Sequence, residues 1–183
     1  RPETIKNSRK IGELDIDSKE KIIIKDICES ASIDLDFKSV TDNPKEDTLL
    51  RRIKEDKLVQ EYISGIEVEV PFYKFNTDIV VGEPINILFN SDVNILTSTI
   101  SNSYDYEFST VEDEKLKDLL ILTTQKVVEL LEITGYGRVD YRIDDNNICY
   151  VFDIATMPYI IHHSSFAYWF KTANLKYTDI YKA

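Results

Sequence analysis

The alternation of apolar and polar residues is clearest towards the end of the chain, where it predicts a β-hairpin. Two runs, Arg138–Asp144 and Ile148–Thr156, are rich in β-branched and aromatic residues, which favour strands. A short polar turn, residues 145–147 with the sequence DNN, separates the two runs. We therefore expect two neighbouring strands that run antiparallel.

The two faces of this hairpin differ in chemistry, because side chains alternate between the faces of a strand. Arg138, Asp140 and Arg142 share one face of the first strand. Strict alternation on the second strand groups four residues on one face: Cys149, Val151, Asp153 and Ala155. Asp140 and Asp153 then lie on the same face if the turn holds an even number of residues, and on opposite faces if the number is odd.

Two carboxylates on one hairpin face repel each other unless a cation or a proton lies between them. Oxygen ligands on rigid strands suit a hard cation such as Mg²⁺, which keeps some of its waters and also binds phosphate oxygens. An arginine beside that cation could hold a phosphate or a developing oxyanion. The alternative is a solvated face with ordinary surface charges, and spacing alone favours this alternative.

Short strands and helices are predicted elsewhere. Residues 22–25 and 58–63 have strand patterns, and residues 48–56 have the pattern of a short amphipathic helix. Residues 66–100 read as an antiparallel meander of three runs: 66–75, 78–89 and 92–100.

Two helices complete the prediction. A long amphipathic helix is expected over residues 110–131, with Thr110 as its cap and Gly135 as its end. A short aromatic helix is expected over residues 166–172, with Ser164 or Ser165 as its cap.

Composition narrows the class of partner. The chain has 183 residues, enough for one domain or two small ones. Its 33 acidic and 22 basic residues give a net charge of −11, which argues against nucleic acid or an anionic membrane as partner. No apolar run approaches the length that spans a bilayer, and no signal peptide is expected. Cys28 and Cys149 lie in or beside apolar runs, so free thiols and a reducing, cytoplasmic compartment are expected.

The hairpin and the segment after it carry the most specific motif. GYGRVDYR followed by FDIATMPYIIHHSSF resembles the carboxy-terminal signature of the D-alanine–D-alanine ligase family, in the ATP-grasp superfamily. That signature reads G-x-G-R-x-D, a short turn, and E-x-N-x-x-P-G-M-T-x-x-S. The matching residues are Gly135, Gly137, Arg138, Asp140, Pro158 and Ser164. Asp153, Ala155 and Tyr159 stand where the family has glutamate, asparagine and glycine.

The resemblance implies roles for the matched positions. Arg138 would stabilise the tetrahedral oxyanion and the transferred phosphate. Asp140 and Asp153 would hold Mg²⁺, as one metal ion rather than two, because Asp153 is shorter than glutamate and the asparagine ligand is absent. Ser164 would contact the carboxylate of the second amino acid, and the backbone near Tyr159 would offer an oxyanion N–H.

A second match, LVQEYISGIEVEV, resembles the family's V-E-x-x-I-x-G-x-E strand at the adenine and ribose site. By resemblance the adenine hinge comprises Gln60, Glu61, Tyr62 and Ile63. Glu67 would accept hydrogen bonds from the ribose hydroxyls. The alternative for Glu67 is the polar side of an ordinary alternating strand, together with Glu69.

Two weaker matches concern the phosphates. Lys25 would be the nucleotide-binding lysine, and residues 30–34 the loop that closes over the phosphates. That loop has Ser30 and Asp34 in place of both glycines, so an ordinary surface loop is the alternative. Residues 103–110 resemble the family's F-Y-D-Y-E-A-K-Y loop, with Ser109 in place of its lysine.

Taken together, the resemblance implies an α+β, ATP-grasp fold of mostly antiparallel sheets with helices packed on one face. Residues 1–63 would be a partial small subdomain, and residues 64–183 the carboxy-terminal subdomain with the metal and substrate site. The implied function is ATP-dependent carboxylate–amine ligation through an acyl phosphate, with ATP and Mg²⁺ as cofactors and small amino-acid-like substrates for cell-wall precursors. The alternative is a degenerate, inactive domain that serves as a binding or assembly module. Core packing or a homodimer contact is expected for Met157, Tyr168, Trp169 and Phe170.

Overall fold

The computed structural model describes residues 4–6, 21–26, 35–41, 57–90 and 95–182. The chain forms two compact units, residues 1–64 with 91–105, and residues 65–90 with 106–183. The predicted division into residues 1–63 and 64–183 assigned residues 91–105 to the second part, whereas they belong to the first unit. The predicted helix at 48–56 and the predicted phosphate loop at 30–34 lie outside the described residues.

The first unit contains a small antiparallel sheet with the strand order β1–β4–β2–β3. Its strands are β1 (Thr4–Lys6), β2 (Ile22–Asp26), β3 (Val40–Thr41) and β4 (Lys57–Glu61). A 3-10 turn, Phe37–Ser39, precedes β3, and the Asp36 side chain caps it. Ile22 and Val59 are fully buried on neighbouring strands, which confirms the strands predicted at 22–25 and 58–63.

The strand predicted over residues 92–100 is wrong for its described part. Residues Ser98–Ser103 form helix α1, and Thr97 is its N-cap. The Thr97 hydroxyl accepts a hydrogen bond from the backbone N–H of Ile100 at 3.2 Å. A threonine that caps a first turn in this way outweighs the strand preference of the β-branched residues around it.

The second unit is built on a six-stranded antiparallel sheet with the order β10–β9–β5–β7–β8, and β6 also pairs with β5. The strands are β5 (Ile66–Phe75), β6 (Asp78–Val81), β7 (Ile85–Phe89), β8 (Tyr106–Thr110), β9 (Gly135–Ile143) and β10 (Cys149–Ala155). The predicted meander is therefore corrected: β6 and β7 both pair with β5, and the distant strand β9 also pairs along β5.

Pro71 lies inside the central strand β5, and the gap between β6 and β7 explains how it is tolerated. The N–H of Gly82 in that gap donates to the carbonyl of Pro71 at 2.8 Å. The N and C=O of a strand residue point to the same side, so the missing N–H of Pro71 also faces the interruption. The break between β6 and β7 thus accommodates the proline.

Helix α2 (Glu114–Leu130) packs on the apolar face of this sheet through Leu120, Thr124 and Val128. Its N-cap is Asp113, whose side chain accepts from two backbone N–H groups; Thr110, the predicted cap, is instead the last residue of β8. Acidic side chains are good N-caps because they satisfy orphan N–H groups and favour the positive helix end.

Helix α3 (Ser165–Thr172) lies on the other face of the sheet, where the rings of Trp169 and Tyr73 are 6.5 Å apart. A 3-10 turn, Tyr177–Lys182, follows it. Within the described residues, no helix combines the length and the apolar composition that a membrane crossing requires.

Candidate functional site

A β-bulge in the β9–β10 hairpin brings the two predicted metal ligands together. Val151 pairs with Tyr141, but Asp153 pairs with Asp140, so Phe152 is an extra residue on β10. The connection between the strands, residues 144–148, is odd in number, and simple alternation would therefore separate the two aspartates. The bulge shifts the register by one residue and places Asp153 directly opposite Asp140.

The bulge also corrects the predicted grouping of side chains on β10. Cys149 and Val151 pack against the apolar core, before the extra residue. Asp153 and Ala155 follow it and pair with the residues of the charged face. The four residues therefore do not share one face.

A third carboxylate extends the row. Glu69 on β5 pairs with Asp140 on β9, so Glu69, Asp140 and Asp153 occupy directly paired positions on three neighbouring strands. Sequence reasoning did not assign Glu69 to the site. The available signal was the Glu67/Glu69 alternation in an otherwise apolar strand, but a solvated face produces the same alternation.

Arg138, two residues before Asp140 on β9, binds two of the carboxylates in this row. Its Nε and Nη2 donate to Oδ1 and Oδ2 of Asp140 at 2.6 and 2.8 Å. Its Nη1 is 3.1 Å from Oε1 of Glu69. Bidentate pairing of this kind fixes the plane of the guanidinium group. Ala155, opposite Arg138, adds no side-chain donor or acceptor.

Burial strongly affects the ionisation of these groups. Asp140 is 4% exposed, and burial raises its pKa to about 7 although the Arg138 guanidinium acts in the opposite direction. Burial also raises the pKa of Glu69, against the same arginine. Burial disfavours the charged form of Arg138, but Asp140 and Glu69 outweigh it and raise the pKa of this arginine. The three carboxylates of the row therefore outnumber the one positive charge of Arg138, which neutralises them only in part.

Glu67, the predicted ribose ligand, is buried on the same face as Glu69. Its Oε2 is 3.7 Å from Nη2 of Arg142, whose Nη1 donates to the carbonyl of Gly65 at 3.1 Å. Glu67 therefore does not belong to a solvated strand face, and its ribose role stays a prediction.

The predicted nucleotide residues of the first unit lie on β2 and β4 or just after β4. Nζ of Lys25 donates to Oε1 of Gln60 at 3.0 Å, across these two strands. Glu61 ends β4, and the N–H of Tyr62 donates to the carbonyl of Lys21 at 3.1 Å. The structure thus brings Lys25 and Gln60 into contact, while Ile63 follows them in the chain without regular structure.

The predicted substrate residues lie before α3. Ser164 is the N-cap of α3: its hydroxyl accepts from the N–H of Ala167 at 3.2 Å and donates to the carbonyl of Ile161 at 2.6 Å. Tyr159 is 66% exposed in the preceding segment. The hydroxyl of Ser164 is therefore already used by the fold, and of the two predicted caps, Ser164 and Ser165, it is Ser164 that caps α3.

The residues near α3 that were expected to pack in the core or at a homodimer contact divide between core and surface. Phe170 is buried, which confirms core packing, whereas Met157 is exposed. His162 stacks on Tyr177 with ring centroids 3.8 Å apart.

The donor set suits at most one hard cation. In the part of the chain that the structure describes, no group of three or more His, Cys, Asp or Glu side chains is arranged so that it could hold a metal ion. Asp140 and Asp153 form a pair of oxygen donors, and a carboxylate with a bidentate arginine keeps further lone pairs. Mg²⁺ completes such a set with water, so these residues fit one Mg²⁺ ion.

Solved structures with the same architecture identify the fold. D-alanyl-alanine synthetase A from Vibrio cholerae has a TM-score of 0.75 at 15% identity, over 99% of this chain and 57% of its own. A Bacillus anthracis D-alanine–D-alanine ligase complexed with ATP has a TM-score of 0.68 at 16% identity, over 99% and 56%. N5-carboxyaminoimidazole synthetase from Staphylococcus aureus, complexed with ADP, has a TM-score of 0.61 at 16% identity, over 87% and 40%. The fold is the α+β, ATP-grasp fold.

The family assignment is more specific than the fold assignment. The chain matches the D-ala D-ala ligase C-terminus family over residues 22–183 and belongs to it. It spans little more than half the length of the two ligases above, at 57% and 56%. No curated protein sequence matches it.

Proposed function

We propose that this chain provides the nucleotide-binding and catalytic part of an ATP-dependent ligase that joins a carboxylate to an amine. The observation that carries the proposal is the bulge at Phe152, which puts Asp153 opposite Asp140 and beside Arg138. A functional site is a common reason for a bulge, because the extra residue redirects side chains. Membership of the D-ala D-ala ligase C-terminus family supports the same reaction class.

The residues on the charged face take distinct roles in this proposal. Asp140 and Asp153 hold one Mg²⁺ ion. When bound, Mg²⁺ neutralises phosphate oxygens and orients them for transfer. Arg138 donates to the transferred phosphate and to the oxyanion of the acyl transfer, and Asp140 fixes its orientation. Phosphoryl transfer depends mainly on positioning and charge, which such side chains supply.

Other parts of the proposal concern nucleotide and substrates. The nucleotide residues are Lys25, Gln60, Glu61, Tyr62, Ile63 and Glu67. Ser164, which also caps α3, contacts the carboxylate of the amine-bearing substrate, and the backbone near Tyr159 offers an N–H to the oxyanion. Small amino acids for cell-wall precursors, a cytoplasmic location and a homodimer belong to the same proposal.

A second candidate is a non-catalytic binding or assembly module. The specific observation in its favour is that Arg138 already donates to Asp140 and contacts Glu69, so its charge is satisfied within the protein. Ala155 and Ser109 add no ligand where the family has asparagine and lysine.

Titration of the chain with a non-hydrolysable ATP analogue separates the two candidates. A ligase site predicts micromolar binding in excess Mg²⁺ that a chelator removes. Asp140→Ala should abolish the Mg²⁺-dependent part. Asp145→Ala, which removes an exposed carboxylate from the turn of the same hairpin, is the matched control and should bind as the unmodified chain does. Equal binding by the Asp140 variant would place the metal elsewhere.

A further inference from the structure

Glu69 is a buried carboxylate to which the proposed function assigns no role. It is 3% exposed, in the middle of β5. Burying a carboxylate is costly unless it is paired and hydrogen-bonded, so its presence needs a specific partner. Arg138 is the ion-pair partner of Glu69 among the described residues.

The contacts of Glu69 are concentrated on that arginine. Its other oxygen, Oε2, is buried without a hydrogen-bond partner in the described structure. Ser165, in the first turn of α3, lies beside Glu69, and its hydroxyl lowers the pKa of this carboxyl less than Arg138 does. Among the described residues, the ion pair with Arg138 is the strongest attraction that acts on the Glu69 carboxylate, ahead of the neighbouring Ser165.

The two carboxylates hold different parts of the guanidinium group. Asp140 accepts hydrogen bonds from Nε and Nη2, which form the side edge of the guanidinium group, at 2.6 and 2.8 Å. Glu69 contacts Nη1, at the opposite end, at 3.1 Å. With the side edge occupied by Asp140, the Nη1 end is where an external phosphate or oxyanion would bind bidentately. An incoming anion therefore meets a carboxylate already bound there.

We propose that Glu69 is an internal competitor for the anion-binding end of Arg138. It occupies the position of a phosphate oxygen and repels further negative charge, so the site binds phosphate only when Glu69 is displaced. This inference rests on the proposed function, in which Arg138 receives the transferred phosphate. It predicts that the wild-type chain binds anions weakly at Arg138 and that neutralising Glu69 strengthens this binding.

The test compares Glu69→Gln with the wild-type chain in titrations with inorganic tripolyphosphate, without metal, at fixed ionic strength. Glutamine keeps the shape of the side chain and removes its charge. The affinity should rise about tenfold, which corresponds to the loss of one charge-assisted competitor. Glu69→Thr removes the carboxylate in another way and should show the same gain if the glutamine variant does not fold.

Glu83→Gln is the matched control. It removes the same charge from the same unit, at a residue paired with Lys117 at 3.3 Å on α2. Its affinity for tripolyphosphate should change less than about twofold, because screened charges act weakly at a distance. Adding Arg138→Met to Glu69→Gln should remove the gain, since the anion then has no guanidinium to bind.

An unchanged or lower affinity in a folded Glu69 variant would overturn the inference, as would a gain that survives Arg138→Met. The wild-type titration with nucleotide and Mg²⁺ decides the proposed function separately. Wild-type nucleotide binding with no gain in Glu69→Gln would leave the ligase proposal standing and reject the competitor. If Glu69→Gln binds tripolyphosphate more tightly but the wild-type chain binds no nucleotide, the competitor inference stands and the ligase proposal is rejected.

Discussion

The two faces of the second sheet are made by alternate residues of the same strands, yet they have opposite properties. On β5 and β9, Val70 and Val139 point into the core under α2, whereas Glu69 and Asp140 point to the other side. The apolar face stabilises the fold by burial. The charged face buries acids that a fold does not need, which is the pattern of a face kept for binding.

The largest expected effect comes from removing the cation of the charged face. Arg138→Met leaves Asp140 and Glu69 buried without their partner, and should lower the free energy of unfolding by about 3–5 kcal/mol at neutral pH. Urea denaturation at neutral and mildly acidic pH measures this, and the loss should shrink in acid as the carboxylates become protonated. Lys117→Met, which removes a cation paired near the surface, should lower the free energy of unfolding far less, because solvent screens such a pair.

On the apolar face, truncating a buried side chain should lower the free energy of unfolding by a comparable amount, through lost burial instead of a lost ion pair. Leu120 on α2 is fully buried, so Leu120→Ala should lower the free energy of unfolding by about 2–5 kcal/mol through lost burial and a cavity. Leu130→Ala on the same helix is the control: its side chain is 82% exposed, so the change should stay within about 0.5 kcal/mol. Equal losses would mean that α2 does not pack as described.

A polar pair within the apolar face gives a smaller effect. The hydroxyls of Thr124 and Tyr141 are 2.8 Å apart and buried. Tyr141→Phe leaves the threonine hydroxyl without this partner and should cost about 1–3 kcal/mol in denaturation experiments. Adding Thr124→Val should recover much of the loss. Additive losses would contradict the pairing.

Metal binding on the charged face should depend on pH. Without metal, burial raises the pKa of Asp140 from its ordinary 3.8 to about 7, so the group is largely protonated below neutral pH. The metal-free chain should lose stability as the pH rises between these values, because the folded state holds the proton more tightly. Mg²⁺ requires the carboxylate, so its affinity should fall about tenfold for each pH unit below 7. Titration calorimetry in two buffers measures the proton released; no release would contradict the assignment.

Local patterns predicted the hairpin well, because strand preference and a polar turn are short-range signals. The bulge at Phe152 has no such signal: the sequence there is an unbroken strand pattern without glycine. Its register depends on the pairing of β9 with both β10 and β5, which no local window contains. The two aspartates could therefore be predicted individually, but their direct pairing could not.

Other differences have the same origin. The β-branched residues after position 95 favoured a strand, but the hydrogen bond that the Thr97 hydroxyl accepts from the N–H of Ile100 stabilises a helix instead. Glu69 looked like the polar side of an ordinary strand, because its burial depends on Arg138 and α3, which are distant in sequence. The sequence pattern identified the polar face of the sheet, but it did not show that α3 would cover this face.

Asp153→Ala tests the central claim that the charged face serves a ligand rather than the fold. Asp153 is exposed, and its carboxylate accepts a hydrogen bond from the adjacent N–H of Ile154, so its removal should leave the thermal unfolding temperature unchanged. The same variant should lose the Mg²⁺-dependent part of nucleotide binding. An unchanged unfolding temperature with lost binding is the result that we predict. Wild-type affinity for the Mg²⁺–nucleotide complex in this variant would contradict the account.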